Sequence, residues 1–401
     1  MKKRDLYLSR LLNFKDKPLI KVITGIRRCG KSTLLHLFCE HLRQNGINDS
    51  RIIQINFESF EFDEIEDYKT LHNYIYEKMN APEGKYYIVL DEVQRVQSWE
   101  KVVNALLVDT DADIYITGSN AYLLSSELST LLSGRYVEIK MFPLSFREYL
   151  DFTEFGQNDD RDLFFDKYLE YGSLPAIVEL MESPDTIPPF LSGIYNTVLM
   201  KDVIERNRVR DAALLDSLLK FIAANIGNIV STKKISDFLT SSGRKTTSDT
   251  IDNYLKMLES AYIIYRANRY DLKGKLFLKS LEKYYMVDNG IRNQLAGLRN
   301  RDFGHVLENI VYIELLRRDY EVTIGKIGPL EVDFVAVKRN KIEYFQVSVS
   351  IMNEETRKRE VRSLQSISDN YPKFLLTMDR NIYDDFEGIR QKHIVDFLLE
   401  E

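Results

Sequence analysis

The sequence has 401 residues, of which 44% are hydrophobic and 29% charged, and its formal net charge is −6. That length predicts two or three domains, and the mild acidity excludes a global basic field for nucleic acid, leaving only a local one. The two cysteines, Cys29 and Cys39, fit neither a disulfide framework nor a zinc spacing, and no apolar run approaches membrane-spanning length, so a soluble, cytoplasmic protein without membrane contact of its own is expected.

Residues 1–18 read as a polar, helical lead-in with no signal-peptide core. Apolar strands and amphipathic helices then alternate. Strands are predicted at Leu19–Thr24, Arg51–Phe57, Tyr86–Leu90, Asp113–Thr117 and Tyr136–Lys140, and helices at Lys31–Gln44, Thr70–Met79 and Glu100–Val108. Such alternation predicts an α/β fold, a mostly parallel sheet covered by helices on both faces.

The turn after the first strand carries chemistry. Gly25-Ile26-Arg27-Arg28-Cys29-Gly30-Lys31-Ser32 matches G-x-x-x-x-G-K-[ST], with Thr33 following. In such a P-loop the glycines let backbone N–H groups curl around phosphates, Lys31 reaches the β- and γ-phosphates, and Ser32 offers a hydroxyl to Mg²⁺. The helix opening there adds its dipole. A second element supports the first: Tyr86 to Leu90 is an apolar strand that ends in Asp91 and Glu92. Asp91 is placed to hold Mg²⁺, and Glu92 to act as general base on the attacking water. Ser119 and Asn120, after the strand at 113–117, are candidates to orient that water, and Arg135 to stabilise transition-state charge; a surface ion pair with Glu138 is the alternative for Arg135. Arg27 and Arg28 read as solvated charges within the loop.

These residues together resemble a family of prokaryotic AAA-type ATPases. The resemblance runs through Gly25–Thr33, the Leu90-Asp91-Glu92-Val93-Gln94 run with Trp99, Thr117-Gly118-Ser119-Asn120-Ala121 and Leu132-Ser133-Gly134-Arg135. It continues in Phe142–Tyr149, Tyr171-Gly172-Ser173-Leu174-Pro175 and Tyr195–Asp202. It implies a P-loop ATPase followed by a C-terminal domain of unknown function, itself similar to a winged helix joined to a restriction-endonuclease-like fold. The family arginine would correspond to Arg135, acting in cis or, in a homo-oligomer, in trans.

Beyond Pro143 the pattern turns helical, and the prolines at 184, 188 and 189 suggest a boundary. The expected domains are 1–182 (ATPase with a helical extension), 190–288 (helical or winged-helix) and 289–401 (small α/β, similar to a PD-(D/E)XK nuclease fold and degenerate). Helices at Leu214–Ala224, Lys233–Leu239 and Thr247–Ser260, followed by strands at Tyr262–Tyr270 and Lys275–Val287, have a winged-helix layout. Lys233, Lys234, Arg244, Lys245, Arg266, Arg269, Lys273 and Lys275 could meet double-stranded DNA. Asp249 and Asp252, early in the third helix, oppose that, and a packing module is the other reading.

In the last segment Glu308, Asp333 and Gln346 resemble the acidic part of a metal-dependent phosphodiesterase site, a candidate second metal site. The position that should carry lysine is Ser348; Lys326, Lys338 and Lys341 are the nearby lysines that could substitute, and His305 shares a helix face with Glu308. The run Arg357-Lys358-Arg359 with Arg362 reads as a solvated helix face. The leading reading is an ATPase that uses ATP and Mg²⁺ and whose nucleotide state controls a C-terminal partner- or DNA-binding module. One alternative is a nucleotide-gated switch or assembly protein with slow turnover and no DNA role. The other is an ATP-regulated, metal-dependent DNA nuclease, which Ser348 disfavours.

Overall fold

The structure is a computed structural model that describes residues 2–80, 84–118, 132, 134–156, 159–297, 303–380 and 386–400. Internal contacts divide it into two units, Met1–Met141 with Ser260–Tyr262, and Phe142–Glu259 with Ile263–Glu401.

The first unit opens with α1 (Asp5–Asn13) and β1 (Ile20–Thr24). It continues through α2 (Lys31–Gln44), β2 (Ile52–Asn56), α3 (Tyr68–Lys78), β3 (Tyr87–Asp91), α4 (Trp99–Asp109), β4 (Asp113–Gly118) and β5 (Tyr136–Lys140). The strands form a five-stranded sheet in the order β2-β3-β4-β1-β5. Every neighbouring pair is parallel. A parallel sheet needs cover on both faces, and β1, β3 and β4 are buried at every residue. One face packs Val22, Ile55, Ile88, Leu90, Ile114 and Ile116 against Leu71 and Ile75 of α3 and Trp99, Val103 and Leu106 of α4. On the other, Phe38 of α2 packs on Tyr115 with ring centroids 4.3 Å apart and the rings tilted by 41°. The chain leaves β1 for the far edge, returns through β3 and β4, and then crosses to β5. The order therefore reverses at β1, and the carboxyl ends of β1, β3 and β4 border the crevice where this class of sheet binds ligands.

The second unit begins with short helices. α5 (Phe146–Phe152) is started by a capping box between Ser145 and Glu148. α6 (Arg161–Tyr171), α7 (Pro175–Leu180) and α8 (Ile187–Thr197) follow. Pro188 and Pro189 lie in the first turn of α8, where a missing N–H costs nothing, so they start a helix and do not break the chain into domains. The contact division falls at Met141/Phe142, not between 182 and 190. After a π-helical stretch (Val198–Glu205) come α9 (Ala212–Ala224), α10 (Thr232–Ser241) and α11 (Ser248–Ser260).

The strands expected to form a wing are β6 (Ile264–Asp271) and β7 (Leu276–Met286). With β8 (Glu321–Ile327), β9 (Leu330–Lys338), β10 (Lys341–Val347), β11 (Lys373–Thr377) and β12 (Ile389–His393) they form one seven-stranded sheet, ordered β12-β11-β10-β9-β8-β6-β7. β6 pairs in parallel with β8, so a boundary at 288/289 would cut through a continuous sheet. Arg266, counted among the wing's basic residues, is bound to Glu259 at 2.6 Å and Glu282 at 3.4 Å, and Arg269 is buried. The Arg266 charge is thus used inside the unit. Helices α12 (Asn289–Ala296), α13 (Phe303–Arg317), α14 (Glu354–Gln365) and α15 (Ile394–Leu399) complete it. Among the described residues no helix is long and apolar enough to cross a membrane.

Candidate nucleotide site

Thr24 ends β1 and Lys31 starts α2, so the intervening turn sits at the carboxyl end of an interior strand with a helix N-terminus directly behind it. Gly25 has φ +143°, and a Cβ there would lie 2.1 Å from the Met141 carbonyl oxygen. Only glycine fits. Gly30, at φ +101°, caps α2 in the left-handed region. Ile26 and Cys29 point inward and are fully buried, which fixes the floor of the loop. Arg4 donates to the Cys29 carbonyl at 2.8 Å and pins it from α1's approach, a support that the motif gives no sign of. Arg28 is exposed at φ +65°, and Arg27 pairs with Glu58 at 3.3 Å. Ser32 and Thr33 are exposed at the start of α2.

Lys31 is buried, and its ammonium donates to the carbonyls of Gly25 at 3.0 Å and Ile26 at 3.1 Å. Glu92 Oε1 lies 4.0 Å from the same nitrogen. Asp91 closes β3 and is buried, with the Thr117 hydroxyl of β4 donating to its carboxylate. Burial raises the Asp91 pKa above the usual carboxylate value, against hydrogen bonds from Thr117 and Ser32. Glu92 adopts a left-handed conformation, φ +56°, and its backbone N–H donates to Thr117 Oγ1 at 3.0 Å. The Gln94 side-chain amide donates to the Glu92 carboxylate. Thr117 and Gln94 thus orient the acidic pair. Neither is singled out as a site residue by sequence, although both lie inside runs that carry the resemblance. Lys31, Ser32, Asp91 and Glu92, drawn from two segments some sixty residues apart, converge on one corner of the sheet.

Residues 17–150 match the family described as "AAA domain", and residues 163–302 match "Domain of unknown function (DUF8612)". An uncharacterised protein of Haemophilus influenzae is 44% identical over 99% of this chain and 98% of its own length. The chain belongs to the AAA-type P-loop ATPase family. The uncharacterised protein MJ1544 of Methanocaldococcus jannaschii is 29% identical over 86% of this chain and 78% of its own length. Among solved structures, the Walker-type ATPase PABY2304 of Pyrococcus abyssi shares the fold at TM-score 0.53 and 18% identity, over 74% of this chain and 96% of that one.

Not every candidate site residue comes to the loop. Arg135 directly precedes β5, and its carbonyl accepts from Ile20 N at 2.9 Å. Since β1 and β5 run parallel with Ile20 opposite Tyr136, Arg135 stands at the amino end of the sheet. The P-loop is at the carboxyl end, roughly 15 Å away along a strand that rises about 3.3 Å per residue. Arg135 is exposed, and among the described residues it makes no ion pair; Glu138 instead accepts from Thr24 and, at 3.3 Å, from Tyr262. Ser119 and Asn120 lie outside the described residues.

In the second unit, Glu308 on α13 and Asp333 on β9 do come together, around a residue that the sequence did not suggest. Lys283 of β7 places its ammonium 2.8 Å from Glu308 Oε1, 2.8 Å from Glu331 Oε1 and 3.7 Å from Asp333 Oδ1. Burial alone would lower the Lys283 pKa, but Glu308, Asp333 and Glu331 more than offset it and hold it above the ordinary lysine value. Gln346 Oε1 accepts from Asp333 N at 3.2 Å, and its amide donates to Glu360 at 2.9 Å. Ser348 is buried and donates to the Ser350 carbonyl at 3.2 Å. His305 Nδ1 is 3.5 Å from Glu308 Oε2. Lys338 lies over the Tyr320 ring, 5.7 Å from its centroid, Lys341 is exposed, and neither they nor Lys326 pair with these acids among the described residues. Among the described residues, no group of three or more His, Cys, Asp or Glu side chains is arranged to hold a metal ion.

Proposed function

We propose that this chain hydrolyses ATP to ADP and phosphate with Mg²⁺, and that its nucleotide state governs what the second unit binds. The observation that carries the reading is the placement of Glu92. Its carboxylate stands 4.0 Å from the P-loop lysine on a backbone held at φ +56°. A non-glycine residue there costs on the order of 1–3 kcal/mol, which the surrounding contacts of Glu92 with Thr117 and Gln94 must hold.

The Ser32 hydroxyl is near enough to the Asp91 carboxylate to help lower its pKa, and the two are a pair of hard oxygens that suits Mg²⁺. Held there by Ser32 and Asp91, the ion would neutralise charge that builds on the phosphate oxygens. The chain's own groups do the rest. Backbone N–H groups of residues 25–33 and the α2 N-terminus bind the phosphates. The Lys31 ammonium exchanges its carbonyl acceptors for phosphate oxygens. Glu92, aligned by Gln94 and Thr117, takes a proton from the attacking water.

Phosphate release should therefore be measured for the full chain and for Glu92→Gln, each with and without double-stranded DNA. General-base loss predicts a fall of about a hundredfold or more with nucleotide binding retained. Wild-type turnover by Glu92→Gln would remove the general-base assignment. A rate that DNA leaves unchanged would direct the search for the second unit's partner to proteins.

A further inference from the structure

The fold that the second unit resembles uses Glu308, Asp333 and the position of Gln346 around a divalent metal. The residues present do not fit that ion. Its place is taken by an ammonium group of the same chain. Lys283 is 3% exposed and lies within 2.8 Å of two carboxylates, and Tyr285, two residues on along β7, donates to Glu308 Oε1 at 2.6 Å. The inner oxygens of the cluster are committed as well. Val347 N donates to Asp333 Oδ2 at 2.9 Å, and Gln346 Oε1 accepts from both Asp333 N and Ser363 Oγ at 3.2 Å. The loop after α9 packs against the Glu308 side of the cluster. Gly227, at φ +70°, approaches so closely that a Cβ would lie 2.8 Å from His305 Nδ1 and 2.9 Å from Glu308 Oε2. Its N–H donates to the Tyr284 carbonyl at 3.2 Å, which ties this loop to the strand bearing Lys283.

We propose that the Lys283 ammonium is the resident cation of the Glu308–Glu331–Asp333 cluster, so that this sheet end excludes divalent metal and acts as a closed, non-cleaving scaffold. A buried ammonium already ion-paired with these carboxylates competes with a divalent ion for the same oxygens and repels it. A lysine that assists phosphodiester cleavage must reach solvent-borne phosphate, and Lys283 faces inward. The acids compensate the buried lysine: removing one partner of such a set leaves an uncompensated charge.

The test is a Mn²⁺ titration of nucleotide-free full-length protein, read by electron paramagnetic resonance. Wild type and Asp333→Asn should give superimposable isotherms. Lys283→Ala should gain roughly one Mn²⁺ per chain, at least about tenfold tighter than any wild-type site, and Lys283→Ala with Asp333→Asn should lose it again. Wild-type protein should also leave supercoiled plasmid intact in Mg²⁺ or Mn²⁺. Wild-type Mn²⁺ binding that disappears in Asp333→Asn would overturn the proposal, as would a folded Lys283→Ala that gains no site. If Lys283→Ala does not fold, the wild-type and Asp333→Asn pair still decides, because that substitution is isosteric. None of these readings depends on ATP hydrolysis.

Discussion

Asp91 is an acid kept where an acid is costly. It is buried at the end of a fully buried strand, and its pKa lies above its ordinary value of 3.8. Between that value and the raised one, the folded state binds more protons than the unfolded state, so stability falls as pH rises through the window. Asparagine has the same shape and no charge to desolvate. Asp91→Asn should therefore raise the nucleotide-free melting temperature at neutral pH, by an amount equivalent to about 1 kcal/mol, while phosphate release collapses. Thermal melts from mildly acidic to neutral pH check this. Wild type should lose stability relative to Asp91→Asn with rising pH, and parallel curves would show that the burial of Asp91 carries no such penalty. Gly25 shows the converse, a residue kept for shape alone. Gly25→Ala would drive a methyl group into the Met141 carbonyl oxygen at 2.1 Å and demand φ +143° of alanine. Loss of detectable binding of a fluorescent ATP analogue is the expected outcome, and retained affinity would show that the loop can relax.

At the scale of elements, the sheet of the first unit has chemistry at both ends. Opposite the P-loop, Lys21 of β1 is fully buried and ion-paired with Asp113 of β4, which also accepts from Tyr115 at 2.8 Å. The Lys21 ammonium further donates to the Lys17 carbonyl at 2.8 Å. Breaking such a pair from one side costs about 3–5 kcal/mol, whereas replacing both partners by apolar groups is close to neutral. Lys21→Met should lower the denaturation midpoint strongly, and Lys21→Met combined with Asp113→Leu should recover most of the loss; equal loss in both would mean that the pair is not the cause. This network was not legible in the sequence, since a lysine in a five-residue strand reads as a solvent-facing position. The P-loop and the Asp91-Glu92 strand end were legible, because their spacing is local and their chemistry leaves few substitutes. Arg135 was legible as a residue but not as a place, since only the parallel register of β1 and β5 shows which end of the sheet it occupies. Lys283 stayed hidden for the same reason. It is separated by 25 residues from Glu308 and 50 from Asp333, and strand alternation says which residues share its face but not which face is buried. The β6–β7 hairpin likewise has the local pattern of a wing, and its assignment to the larger sheet rests on pairing with β8, more than fifty residues later.

For the whole molecule, the position of Arg135 has a consequence for assembly. Its own P-loop is out of reach at the other end of the sheet, yet its side chain is exposed and makes no ion pair among the described residues. An arginine that serves a phosphoryl-transfer site from there must serve the site of another copy, which makes catalysis a property of an oligomer. Arg135→Ala should then lower turnover by about a thousandfold with ATP affinity little changed, the scale seen for arginines supplied in trans. Wild-type rate per chain should rise with protein concentration. Complementation is the decisive measurement. Glu92→Gln and Arg135→Ala are each inactive, but a site in an equimolar mixture works whenever its own chain keeps Glu92 and its neighbour keeps Arg135. Random assembly gives this arrangement at about a quarter of the sites, so about a quarter of the wild-type rate should return on mixing. If Arg135→Ala turns over ATP like the wild-type protein and the wild-type rate per chain ignores concentration, Arg135 has no role across an interface; if Arg135→Ala is inactive but the mixture recovers nothing, the arginine does not act in trans.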